Sequence, residues 1–142
     1  MILLSIFSFK MCIATSCSNF YYTSIMFTIW KDNKDRVPGL NYWMLNLVFQ
    51  TLGQALLPAA EKFSSPILGV IGNTCILTGA IFFYFGLAEF NGTTVRKKGY
   101  YLYISIFFIL SVGLSLIFKH TVLKTLLFNM AVLLIFIQYL KI

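Results

Sequence analysis

The side chains with the strongest chemistry in this sequence are four carboxylates, one histidine and three cysteines, and they are scattered. Asp32, Asp35, Glu61 and Glu89 lie far apart or in short charged stretches, His120 stands alone between Lys119 and Thr121, and Cys12, Cys17 and Cys75 show no C-x-x-C spacing. A metal site needs clustered ligands, and acid–base or nucleophilic catalysis needs two groups brought to one reacting atom. No glycine-rich phosphate loop follows a strand pattern either. The expectation is therefore a chain with no catalytic, metal-binding or cofactor-binding residues, in which the cysteines serve as small packing residues.

Neutral polar and small residues are arranged with more order. Gly72, Gly79 and Gly86 recur every seven residues, with Cys75 between the first two. Seven residues are close to two helical turns, so the three glycines form a stripe against which another backbone can approach closely. Asn46, Gln50, Gly53 and Gln54 share one side of the preceding apolar run at helical spacing. Asn73 adjoins the glycine stripe. Two readings stay open: a seam that joins two helices, or a polar pocket of Gln50, Gln54 and Asn73 among aromatic residues. Pro66, which opens the glycine-bearing run, suits a first helical turn, where its missing N–H costs nothing.

The elements that carry these residues follow from composition. The 142 residues are 59% hydrophobic and 18% aromatic but only 11% charged, with a mean hydropathy of +0.85. A soluble domain carries roughly a quarter charged residues. The net charge is +7, and nearly all of the charged residues sit in connectors at 31–39, 59–66, 89–99 and 119–124. They form no groove or stripe, which argues against a nucleic-acid partner. Between the connectors lie apolar runs at about 10–30, 40–59, 66–88, 100–118 and 123–140. These suit a hydrocarbon core of roughly 30 Å and lack the short alternating pattern of barrel strands. The expected fold is an all-α integral membrane protein, a single domain over 1–142 with five transmembrane helices. Residues 1–9 either extend the first helix or lie at the interface. A cleaved signal peptide fits poorly, because no basic residue precedes the apolar stretch and Lys10 interrupts it.

Lysine and arginine counts orient the bundle. Lys31, Lys34, Arg36, Arg96, Lys97 and Lys98 fall in the first and third connectors, against Lys62, Lys119 and Lys124 in the other two. The positive-inside rule then places the N-terminus outside and Ile142 inside. Trp30, Tyr42, Trp43, Tyr84, Tyr100, Tyr101, Tyr103 and Tyr139 fall near the same inner ends, where aromatic rings favour the headgroup level. Arg96–Lys98 face anionic headgroups on this reading. The Asn91–Thr93 glycosylation pattern would face the cytoplasm and is a chance match. No span holds a mid-membrane Asp, Glu, Lys, Arg or His, which weakens a proton-coupled transporter.

The stretches "KDNKDRVPGLNYWMLNLVFQTLGQALL" and "FSSPILGVIGNTCILTGAIFFYFGLAEFNG" carry a resemblance. They are similar to the N-terminal membrane region of bacterial diguanylate cyclases. In that group a basic connector leads into a G-L-x-x-W helix start, matched by Gly39, Leu40 and Trp43. A central glycine followed by leucines is matched by Gly53, Leu56 and Leu57. A small-residue–Asn pair and a closing G-L-x-x-F-x-G are matched by Gly72–Asn73 and by Gly86, Leu87, Phe90 and Gly92. The similarity covers about residues 30–92 and involves no catalytic position.

The resemblance implies a seven-span sensory or anchoring region in the bacterial inner membrane, followed by a cytoplasmic GGDEF domain that makes cyclic di-GMP as a dimer. Because the sequence ends at Ile142 after a fifth span, it implies a truncated input region here, a homo-oligomer only through the missing domain, and the lipid bilayer as the direct partner. Some histidine kinases carry comparable regions. The alternatives are a stand-alone multi-pass protein with a structural or assembly role, and a small transporter fragment. No small-molecule ligand can be read from the sequence.

Overall fold

The computed structural model describes residues 2–117 and 121–139, and the side chains of residues 14, 15, 17–115 and 123–139. Lys119, His120 and the predicted span ends at 118 and 140 lie outside the described residues. The chain forms five helices: α1 (Ile2–Asn33), α2 (Leu40–Lys62), α3 (Pro66–Phe90), α4 (Lys97–Ile117) and α5 (Thr121–Tyr139). No strand occurs among the described residues. Residues 2–9, for which the sequence left two alternatives, belong to α1.

Local chemistry explains each boundary. After α1 the backbone turns through Val37–Leu40, with Leu40 N–H donating to the Val37 carbonyl at 3.4 Å. Pro38 pre-sets the first corner of this turn. Gly39, at φ +82° and ψ −10°, supplies the left-handed second corner of a type II turn. The predicted end of α2 near residue 59 moves outward, because the helix runs on through Pro58 to Lys62. A proline there removes one ladder hydrogen bond, a smaller loss in the last turns than in a helix centre. α2 and α3 then close in the same way. Ser65 N–H donates to the Ala60 carbonyl at 3.0 Å, and Ser64 N–H to Glu61 at 3.2 Å. Thr93 N–H donates to Ala88 at 2.8 Å, and Gly92 N–H to Glu89 at 3.1 Å. Both pairs are Schellman motifs, which require a left-handed residue just past the helix. Gly92 fills that position at φ +68°, and Ser64 fills the other at φ +50°.

α3 is the axis of the bundle, packing against α2, α4 and α5, while α1 packs against α2. Its Leu77, Ile81 and Phe85 are fully buried and meet Phe107 of α4 and Ala131 and Ile135 of α5. α3 and the Lys97–Ser115 part of α4 are each long and apolar enough to cross a membrane; α5 is apolar over the shorter Leu123–Tyr139. At 1.5 Å per residue α3 reaches roughly 37 Å, more than a hydrocarbon core. α2 is of sufficient length but is diluted by Asn41, Asn46, Gln50, Gln54 and its terminal charges. The outward faces are nonetheless apolar: Phe20, Ile109, Leu126 and Phe136 are all more than half exposed.

Candidate functional site

The α2–α3 contact is a paired backbone seam. A Cβ added to Gly79 would lie 3.1 Å from the Asn46 carbonyl oxygen, and one on Gly72 would lie 3.1 Å from the Gly53 carbonyl oxygen. At the far end, one on Gly86 would lie 3.0 Å from the Gly39 carbonyl oxygen and within contact of the Trp43 indole. Gly39, Asn46 and Gly53 of one side thus face Gly86, Gly79 and Gly72 of the other, both rows stepping by seven residues in antiparallel order. The sequence displays the α3 row openly. The α2 row is hidden, because its middle member is Asn46, whose backbone carbonyl makes the approach together with its side-chain Oδ1 at 3.2 Å.

Aromatic residues seal the Gly39–Gly86 end. The Trp43 ring lies 5.7 Å from Phe90 and 6.5 Å from Phe83, centroid to centroid. Tyr42 packs on Phe82 and Phe85 at 6.1 and 5.8 Å. Lys97 of α4 reaches back over the Tyr42 ring at 4.7 Å and donates to its hydroxyl, a cation–π arrangement. Tyr84, Tyr100 and Tyr139 join the same cluster, with Tyr84 at 5.3 Å from Tyr100 and 5.6 Å from Tyr139. The Tyr139 hydroxyl donates to the Ala80 carbonyl, which pins α5 to α3. Gly92 stands beyond this end, exposed, in its capping role.

The three amides proposed as one polar pocket are not brought together. An α-helix turns about 100° per residue. Asn46 and Gly53, seven apart, therefore share the seam, whereas Gln54 points about 100° away from Gly53 and Asn73 about 100° away from Gly72. Gln54 accepts from Asn19 of α1 at 2.5 Å. Gln50 donates to the Ile76 carbonyl at 3.4 Å and lines a cavity of about 450 Å³ with Asn46, Phe83, Phe136 and Tyr139. Asn73 lines a different cavity, of about 460 Å³, beside Glu61, Ser111, Ser115 and Lys124. The sequence grouped the amides over too wide an arc of the helix.

A second polar ladder, absent from the sequence reading, joins α1 to α2. Besides Asn19–Gln54, the Thr23 and Thr51 hydroxyls bond at 2.9 Å, and Trp30 Nε1 donates to Asn41 Oδ1 at 2.6 Å. The polar residues of α1 that make it the least hydrophobic run are the signal for this ladder. Asn19, Thr23 and Trp30 face α2, while Ser18 and Ser24 stay exposed beside Phe20, Tyr21 and Ile25.

Among the described residues there is no group of three or more His, Cys, Asp or Glu that could hold a metal ion. The structure brings together a close seam, an aromatic lock at one end, and near the other a cavity with a charged mouth and largely apolar walls. No family model, curated protein or solved structure matches the chain.

Proposed function

We propose that this chain is a membrane-embedded input or anchoring module of a bacterial signalling protein of the diguanylate-cyclase type. On this reading it forms five spans in the inner membrane, with the N-terminus outside and the C-terminus inside, and contributes no catalytic residue of its own. The membrane reading is supported by the length and apolarity of α3 and α4 and by the large apolar side chains facing outward from α1, α4 and α5. One observation carries the signalling reading: residues responsible for the family resemblance converge on the α2–α3 seam. Gly39, Trp43, Gly86 and Phe90 form one end of it, and Gly53 meets Gly72 further along. A pattern of glycine and aromatic positions is what a defined helix–helix register requires.

A sensor needs two packings separated by a few kcal/mol, with a signal that prefers one. Small residues at a seam allow one helix to slide or turn against the other with little steric cost. The test is a fusion of the chain to the output domain of a characterised diguanylate cyclase, with cyclic di-GMP measured in cells. Gly79→Leu forces α2 and α3 apart and is expected to change output at least several-fold while the protein still reaches the membrane. Ile109→Ala, at a site 68% exposed, is expected to leave output unchanged. Equal output from the parent fusion and both variants would overturn the sensory role.

A further inference from the structure

The cavity of about 460 Å³ lies where α2 ends, α3 begins, α4 ends and α5 begins, at the opposite end of the bundle from the aromatic lock. Exposed Glu61, Ser64 and Pro66 stand at its mouth, and Lys124 of α5 also lines it. Its deeper walls are Leu57, Val70, Phe107, Leu114 and Leu127. Ser111 and Ser115 sit one helical turn apart on α4 and are 8% and 9% exposed. The Ser115 Oγ is buried without a hydrogen-bond partner. Such an orphan costs about 1–3 kcal/mol, so buried hydroxyls are rarely left this way in an empty, finished core.

Three features define what this space accepts. A carboxylate and an ammonium line the same cavity, so the complementary head carries an ammonium and an anion. The first turn of α3 faces the cavity through Ser65, Pro66 and Gly69, and Ser65 makes no side-chain cap. The partial positive charge of that turn favours an anion beside Lys124. The aliphatic and aromatic walls take an apolar tail, and the volume is in the range of small-ligand sites, about 300–1,000 Å³.

We propose that this cavity binds a single-chain zwitterionic amphiphile of the phosphoethanolamine type. Its anionic group faces α3 and Lys124, its ammonium faces Glu61, and the first part of its chain runs past Ser115 into the apolar walls. An ester or hydroxyl oxygen near the head would supply the partner that Ser115 lacks. The inference rests on the bilayer-embedded reading only in placing the mouth at the lipid headgroup level.

The test uses the purified full chain in maltoside micelles, with ligand affinity read from the shift in melting temperature over a concentration series. Lysophosphatidylethanolamine is expected to bind at least about tenfold more tightly than lysophosphatidylglycerol of equal chain length, the worth of one charge-assisted contact. Glu61→Gln is expected to erase that preference, and Lys124→Gln to weaken both lipids about tenfold. Ser115→Ala is expected to weaken binding several-fold while leaving the unliganded protein as stable or more so, because it deletes an unpaired hydroxyl. A Ser115 that merely held the fold would show the reverse.

Equal affinity for the two lipids, or affinities unmoved by these variants, would overturn the proposal as micelle partitioning. Phosphoethanolamine without a tail binding as tightly as the lipid would overturn the amphiphile and indicate a soluble zwitterion. Failure of the membrane reading is separable: alkaline extraction of the protein from membranes would reveal it whatever the lipid result.

Discussion

At Ser64 the backbone is asked for a conformation that its side chain resists. The residue sits at φ +50° in a Schellman motif whose counterpart after α3 uses Gly92 at φ +68°. A left-handed non-glycine residue costs about 1–2 kcal/mol, against roughly 0.5–1 kcal/mol for the extra freedom that glycine gives up on folding. Ser64→Gly is therefore expected to stabilise the protein by about 0.5–1 kcal/mol, seen as a higher melting temperature by circular dichroism in detergent. A lower one would mean that the serine hydroxyl holds the turn. Residue types alone conceal this site, since "FSSP" advertises a helix start at Pro66 but not the left-handed corner before it. Trp43 presents a related case: its ring closes the Gly39–Gly86 approach while its buried Nε1 is left without a partner. Shape at that position has won over hydrogen bonding.

Among the elements, α2 and α3 form the tightest pair, and their fit is set by backbone distance. A Cβ on Gly53 would lie 2.7 Å from the Gly72 carbonyl oxygen and 2.6 Å from Ile76 Cγ1. Gly53→Ala is expected to cost about 1–3 kcal/mol, because the obstruction includes backbone that moves only with the whole helix. Gly113, by contrast, has nothing within 4 Å of where its Cβ would be. Gly113→Ala is expected to gain up to about 1 kcal/mol from helix propensity. Melting temperatures of the two variants should move in opposite directions; movement together would show that the seam carries no special stability. The α3 half of this seam was legible because glycine at seven-residue intervals is unusual in an apolar run. Its α2 half was not, since Asn46 contributes a carbonyl that every residue possesses. The polar pocket failed for a related reason: Gln50, Gln54 and Asn73 are close in sequence pattern, yet a 100° step per residue sends them to different neighbours. The cavity behind Glu61 was missed because its lining comes from four helix ends that no local pattern relates.

For the whole molecule, the sequence and the fold agree on a polarity between its two ends. Arg96, Lys97 and Lys98 lie beside the aromatic lock, where Lys97 already rests on Tyr42. Glu61, Lys62 and Lys124 lie at the other end, around the cavity or next to it. The helices alternate in direction through short connectors, so fixing the side of one connector fixes all the others. On the orientation proposed above, the end with the greater lysine and arginine content would lie in the cytoplasm, the aromatic rings would meet the inner headgroups, and the cavity would open outward. This arrangement also separates the roles proposed above, with recognition at the outer end and the seam leading from it toward the inner one. It predicts a labelling pattern in intact cells. In a background with Cys12, Cys17 and Cys75 replaced by alanine, Phe63→Cys, 69% exposed, should react with a membrane-impermeant maleimide. Thr94→Cys should react only after lysis. The opposite pattern would turn the bundle over and place the cavity on the cytoplasmic side. Labelling of both before lysis would remove the bilayer from between them, and with it the membrane assignment itself.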